Sequence, residues 1–171
     1  MLDEDPSDRI GELIRYGTIE SVDLATGKCT VKIGDIVTQP VRWVHGAAGG
    51  AGGTSIWSPP AVGEQVILLT PEGDVTAAIA LTGVHSTANP PAGDSTRALI
   101  RFADGAVIAY DPASHLLEAT LPDGGMAKIT GDLHVTGTIT ADIDVIAAGK
   151  SLKTHKHTGV QAGGAQTGAP A

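Results

Sequence analysis

Turn residues recur every few positions between residues 97 and 150, and they limit regular structure in this stretch to short strands. Asp-Gly, Asp-Pro, Gly-Gly and Gly-Asp pairs separate segments of about four to eight residues, within which apolar and polar side chains alternate. Such a pattern predicts a repetitive β-architecture. The apolar positions expected to point inward are Ile129, Leu133, Val135, Ile139, Ile143 and Val145.

The same stretch lacks the bulky side chains from which a single chain could build a core. Aromatic residues make up 3% of the sequence, and none follows Tyr110. Short strands without a covering helix are marginally stable alone, and their open edges favour pairing with other chains. Two interpretations stay open on this pattern: several copies wind around one axis as an intertwined trimeric β-helix, or one chain forms a sandwich.

The N-terminal half has a different texture. Ile10, Leu13 and Ile14 recur at helical spacing, which predicts a short helix over residues 6–15. From Tyr16 onward the period is two, and about five short strands up to residue 85 are typical of a small closed barrel of the OB type. A Pro-, Gly-, Ser- and Thr-rich segment, residues 86–96, predicts a linker.

Composition excludes several classes of function. The net charge is −8 and no basic cluster is present, so nucleic acid is not expected as a partner. The single cysteine, Cys29, excludes an intrachain disulfide and lies on the apolar face of its strand, as a small core residue would. The acidic N-terminus has no secretory signal and no apolar run approaches the ~18 residues of a membrane span, so we expect a soluble protein made in a cytoplasm.

No residue pattern predicts catalysis, and we expect that the protein is not an enzyme. The glycine-rich loop "GAAGGAGGT" lacks the Gly-Lys-Ser/Thr ending of a phosphate-binding loop, and no Gly-x-Ser-x-Gly elbow occurs. Trp43 and Trp57 are interpreted as barrel or interface packing and Glu64 as a surface charge. His45, His115 and His134 are treated as isolated histidines.

Two histidines near the C-terminus, His155 and His157, are spaced as alternate residues of a strand. Both rings would then face one side, with Lys156 on the other. A single chain offers two ligands, whereas three chains around an axis offer six, an octahedral set that favours iron, nickel or a similar ion over tetrahedral zinc. The other interpretation is a solvated tail that binds no metal.

Two parts of the sequence resemble one family. "RYGTIESVDLATGKCTVKIGD" and "WSPPAVGEQVILLTPEGD" resemble the OB-fold of the baseplate spike proteins of contractile-tailed bacteriophages, the baseplate assembly protein V family. "THKHTGVQAGGAQTGAP" resembles the apex of that family, where a His-x-His pair precedes a glycine-rich turn. Ala162 follows Gln161 where the family commonly has proline, which implies a less rigid turn.

The resemblance implies an all-β homotrimer with an OB-fold barrel, an intertwined β-helix and a pointed apex. One iron ion per trimer, or another divalent transition metal, would be held by His155 and His157 of each chain. The predicted divisions are an N-terminal helix or arm (1–17), an OB-fold domain (18–85), a linker (86–96), the trimeric β-helix (97–150) and the apex (151–171).

The expected function is structural. The resemblance implies a central spike at the distal tip of the tail baseplate in the virion, assembled in the host cytoplasm, which pierces the outer membrane when the tail contracts. Its partners would be the baseplate hub and tail tube proteins. An alternative is a trimeric receptor-binding or adhesin module that recognises an envelope saccharide. The Gly-, Ala-, Thr- and Gln-rich tip has no aromatic ring, which argues against tight recognition.

Overall fold

The structure, a computed structural model, describes residues 11–156 together with Gly159 and Gly163. Its regular elements are almost all strands, as the two-residue period predicts. The chain divides after Gly124 into two units. Among the described residues, no helix has the length and apolar character needed to cross a membrane.

Five strands close into the predicted barrel. Strand β1 pairs with both β2 and β5, and the ring is completed in the order β1-β5-β6-β4-β2, with β3 added beside β2. The β4–β6 pairing is parallel, whereas β1 pairs antiparallel with both of its neighbours. This closure confirms the OB-type prediction. The strands are β1 (Ile14–Asp23), β2 (Lys28–Ile33), β3 (Ile36–Val37), β4 (Val41–Trp43), β5 (Gln65–Leu69) and β6 (Ile79–Val84).

The predicted helix ends earlier than its spacing indicates. Residues 11–13 are helical and β1 begins at Ile14, so the predicted boundary at residue 15 is wrong; residues 6–10 lie outside the described part of the chain. Ile14 pairs with Leu69 of β5, and the Thr70 N–H donates to the Leu13 carbonyl oxygen at 2.9 Å. Pairing with β5 therefore overrides the local helical period of the sequence.

The barrel interior is filled by small and branched side chains and one tryptophan. Cys29 is 2% exposed, which confirms it as a core residue, and burial raises the pKa of its thiol. The thiol therefore stays protonated near neutral pH. The buried core consists of Ile19, Cys29, Val31, Val41, Trp43, Val66, Leu68, Ala78 and Ala80.

Gly17 marks the closest approach of β1 to β2. A Cβ atom at this position would overlap Val31 Cγ1 and lie 3.0 Å from the Lys32 carbonyl oxygen. Because one of these obstacles is backbone, Gly17→Ala is expected to lower the free energy of unfolding by about 1–3 kcal/mol, measured by chemical denaturation. Thr18→Ala, at an exposed site of the same strand, should change it by less than about 0.5 kcal/mol. An equally stable Gly17→Ala barrel would contradict this packing.

A three-stranded antiparallel sheet follows the barrel, formed by β7 (Ala98–Arg101), β8 (Val107–Asp111) and β9 (Leu116–Thr120). Residues 85–97 connect β6 to β7 without strand structure, and the predicted linker lies within them; the predicted domain boundaries stay predictions. One face of the sheet is apolar but exposed, because register places these side chains together and no described element covers them. They are Ala98, Ile100, Ile108, Tyr110, Leu117 and Ala119.

The described part of the second unit contains one hairpin. All of residues 125–145 are described and none is in a strand, whereas β10 (Ile146–Ala147) pairs with β11 (Lys150–Ser151). Ala148 and Gly149 both have positive φ, as a tight two-residue hairpin turn requires. The six predicted inward positions from Ile129 to Val145 are 42–84% exposed. The described residues of a single chain therefore supply no strand partner for residues 125–145 and do not bury their apolar side chains in a sandwich.

Candidate metal centre at the C-terminal turn

The β10–β11 hairpin leads directly into a turn that positions His155. The Leu152 N–H donates to the Val145 carbonyl oxygen at 2.8 Å, and the His155 N–H donates to the Ser151 carbonyl oxygen at 3.1 Å. Ser151 Oγ also accepts from the Thr154 N–H at 2.9 Å. His155 thus follows a turn, and the expectation that it lies in a strand is wrong for the single chain. The hydrogen bonds from Thr154 and His155 to Ser151 close a turn at this point.

The carboxylate of Asp144 holds this turn against the hairpin. Its Oδ1 atom accepts from the N–H groups of Val145 at 2.8 Å and of Lys153 at 3.1 Å. A hydrogen bond from Ser151 and these backbone N–H groups lower the pKa of Asp144. Because the folded-state pKa is the lower one, the resulting stability is present above about pH 4 and is lost as the pH falls through the folded-state value.

The ring of His155 is oriented as in a metal-binding histidine. Its Nδ1 atom lies 2.9 Å from the Leu152 carbonyl oxygen. A carbonyl oxygen only accepts, so Nδ1 carries the hydrogen and the lone pair of the neutral ring is on Nε2. Metal-ligating histidines typically donate their other N–H to a backbone carbonyl or carboxylate in this way. His155 therefore fits the predicted donor role.

The second predicted ligand, His157, lies outside the described residues. Among the residues that the structure describes, no group of three or more His, Cys, Asp or Glu side chains is placed to hold a metal ion. An apolar hollow of about 280 Å³ adjoins His155 and is lined by Val145, Ala147 and Leu152 among others. Within the described residues, this region therefore presents His155 beside an apolar hollow.

A second group of side chains, the aromatic cluster Trp43, His45 and Trp57, lies on the barrel. The Trp43 ring centroid lies 5.2 Å from that of His45 and 5.5 Å from that of Trp57, and His45 and Trp57 stack at 5.5 Å. The barrel packing predicted for Trp43 is confirmed. The prediction that His45 is isolated is wrong. Its position two residues after Trp43 in an extended segment places both side chains on one face, and this spacing could have predicted the contact.

Two nitrogen atoms of the aromatic cluster are buried without a hydrogen bond in the described part of the chain. They are Trp43 Nε1 and His45 Nδ1. A buried polar group left unpaired costs about 1–3 kcal/mol, so these two atoms are a local energetic cost within the aromatic cluster.

Glu64 is more than the predicted surface charge. Its Oε2 atom accepts from the Ala61 N–H at 3.0 Å and its Oε1 atom accepts from the Gly83 N–H at 2.8 Å. The half-buried carboxylate thereby links the start of β5 to β6. We assign it a structural role in the barrel.

Comparison with known proteins matches two separate segments of the chain to family models. Residues 15–85 match the family described as the type VI secretion system/phage-baseplate injector OB domain. Residues 151–171 match the GpV apex motif. The barrel and the turn that carries His155 therefore fall within separate matched segments, in the order that the sequence predicts.

A relative of known identity covers most of the chain. The chain is 35% identical over 142 residues to the spike protein of Escherichia phage P2, in an alignment that includes 82% of this chain and 63% of that protein. It thus spans 63% of the length of the relative. Together with the two family matches, this similarity supports a baseplate spike protein and confirms the resemblance stated from the sequence.

Proposed function

We propose that three copies of this chain form the central spike at the distal tip of a contractile tail baseplate, where the spike pierces the outer membrane of the host during contraction. The similarity to a phage spike protein and the matched OB domain and apex motif support this role. The observation that carries the trimer is the apolar stripe of the second unit, defined as Ile129, Leu133, Val135, Ile139, Ile143 and Val145.

The apolar stripe needs a partner surface. Full burial of a branched aliphatic side chain contributes about 1.5–3 kcal/mol, and the single chain realises only part of this at the six positions, which are 42–84% exposed. The backbone of residues 125–145 also lacks strand partners among the residues that the structure describes. Identical chains wound around a common axis would meet both needs, since each chain supplies the strand edge and the apolar side chains that its neighbour requires.

The apex would be tied together by a metal ion. His155 and His157 from each of three chains supply six imidazole nitrogens, which suit one iron ion or another divalent transition metal. The hydrogen bond from His155 Nδ1 to the Leu152 carbonyl oxygen orients this ring before any metal binds. The bound ion would supply a structural cross-link between the chains rather than a chemical reaction.

Mechanical load explains why such a protein needs no catalytic group. Chain ends fray unless they are tied down, and an apex held by all three chains resists fraying where force concentrates. Unfolding one chain of an intertwined spike requires the others to separate. The OB barrel would join the spike to the hub and tube proteins of the baseplate, in a virion assembled in the host cytoplasm.

Virions with altered spikes test this function. We expect that virions carrying a chain truncated after Lys150 adsorb to the host and contract normally but deliver their DNA far less often. Adsorption, sheath contraction and DNA entry are scored separately against virions with the full chain. Normal DNA entry, or absence of the protein from the tail tip in labelled electron micrographs, would contradict the proposal.

Asp144→Ala should weaken metal binding without removing a ligand. The substitution removes the acceptor for the N–H groups of Val145 and Lys153 and so loosens the turn that presents His155. We expect an affinity about 10-fold lower, at the lower end of the effect of losing a group that orients a ligand. Asp142→Ala, at a nearby exposed carboxylate with no hydrogen bond in the described residues, is the control. Equal affinities for both variants, measured by competition with a chelator, would exclude this role of Asp144.

A further inference from the structure

The aromatic cluster of the barrel lines a groove of about 590 Å³ beside the β1–β2 turn. Trp43, His45 and Trp57 share this groove with Lys28 and Arg42, and none of the lining residues is acidic. Trp57 is 57% exposed, whereas Trp43 is buried. The groove therefore combines an accessible aromatic surface with two cations.

The two cations form a pair of like charges on neighbouring strands. Lys28 and Arg42 lie directly opposite each other where β2 pairs with β4, and both are exposed. In the described part of the chain neither takes part in an ion pair. Asp23 lies directly opposite Lys28 where β1 pairs with β2, and its charged carboxylate accepts from the Ala25 N–H at 2.9 Å and from Thr26 Oγ1 at 2.7 Å. These three side chains together leave one net positive charge beside the groove, in a chain with a net charge of −8.

The charged side chains and the exposed indole specify the ligand chemistry. Trp43 Nε1 and His45 Nδ1 are buried without a hydrogen bond in the described residues, beneath the surface that a ligand would contact. Lys28 and Arg42 favour a ligand that brings oxygen acceptors and negative charge, and Trp57 favours an apolar or aromatic group.

We propose that this groove binds an acidic peptide segment of another protein. A carboxylate of the segment faces Lys28 and Arg42, and an apolar or aromatic side chain packs on Trp57. OB barrels bind oligonucleotides or oligosaccharides on the face of their second and third strands and at the loop between their first two strands. In this barrel, β2, β4 and the β1–β2 turn line the groove. A net charge of −8 disfavours a polyanion with evenly spaced phosphates, whereas one short acidic segment experiences mainly the local positive charge.

The inference rests on the proposed function only for the identity of the protein that carries the acidic segment. If the barrel joins the spike to the baseplate, then the acidic segment belongs to a neighbouring baseplate protein. The geometry of the groove does not depend on the oligomeric state of the C-terminal unit. Failure of either proposal can therefore be recognised separately.

Tryptophan fluorescence of the full chain reports on this groove, because the chain has two tryptophans and both line it. Peptides that bind the full chain are first selected from a displayed library of random twelve-residue sequences. One selected peptide without tryptophan is then titrated in solution, beside a counterpart in which Asp and Glu are replaced by Asn and Gln. We expect selected sequences enriched in Asp and Glu, a saturable emission change, and at least 10-fold weaker binding of the neutral counterpart.

Matched variants locate the binding. Lys28→Gln combined with Arg42→Gln should weaken binding of the selected peptide at least 10-fold, whereas Lys32→Gln, which removes an exposed cation of β2 outside the groove, should leave it unchanged. The double variant should keep the oligomeric mass and metal content of the parent. A changed mass or metal content in the parent chain itself would count against the proposed function instead.

Several results would overturn the inference. These are failure of the library to yield any binding peptide, enrichment of neutral or basic sequences, and equal binding by the double variant. Saturation at lower concentration by a ten-residue oligothymidylate or by a neutral oligosaccharide would assign the groove to a different class of ligand.

Discussion

Replacing Ile139 by aspartate is expected to convert the proposed trimer into monomers. Ile139 is 68% exposed in the single chain, although its place in the apolar stripe puts it at the contact between chains in the proposed spike. Three carboxylates brought together near one apolar axis would repel one another and lose their hydration. Their desolvation costs on the order of several kcal/mol per charge, which exceeds what the neighbouring apolar contacts of this thin segment recover.

Thr140→Asp provides the matched control for this change. The residue is adjacent, exposed and polar, and it alternates with Ile139, so its side chain should remain in solvent when the chains assemble. Sedimentation equilibrium should then show a monomer for Ile139→Asp and an unchanged trimer for Thr140→Asp. If both variants stay trimeric, the apolar stripe is not the contact between chains.

Combined replacement of His155 and His157 by alanine should abolish metal binding while the trimer stays assembled. Structural metal sites contribute on the order of 10 kcal/mol to a folded state, so the apex should lose most of its stability. Elemental analysis should fall from one transition-metal ion per three chains to none, and proteolysis should begin at the C-terminus. Removal of the ion from the parent chain by a strong chelator should reproduce both effects.

His134→Ala is the control for the loss of a histidine as such. His134 lies in the extended segment, outside the turn that carries His155, and should not affect the metal content. A parent protein that contains no transition metal, or an apex variant with undiminished metal content, would refute the assignment of His155 and His157 as ligands.

The barrel could be predicted from the sequence because its signals are local. Alternation in β1 and β2 and glycine-rich turns determine which residues face inward, and Cys29 and Val31 are buried as that alternation requires. The end of the N-terminal helix could not be predicted in this way. Ile14 satisfies a helical period as well as a strand, and only its pairing with Leu69, fifty-five positions along the chain, decides between them.

The groove and the apex could be predicted from the sequence to different degrees. Trp43 and His45 stand two apart, but Trp57 joins them only because residues 46–56 fold back, with the Ile56 N–H donating to the Ala47 carbonyl oxygen at 2.9 Å. No local sequence pattern predicts that residues 46–56 fold back in this way. At the apex, the histidine pair is visible in the sequence, whereas the turn that orients His155 depends on Asp144, eleven residues earlier, through its contact with Lys153.

The mass of the protein in solution tests the trimer most directly. Multi-angle light scattering on the purified chain, with and without a chelator, should give the mass of three 17.2 kDa chains in both cases. Circular dichroism on the same sample should show a folded β-protein. A folded species with the mass of one 17.2 kDa chain would contradict the shared axis, and with it the six-histidine apex and the piercing role.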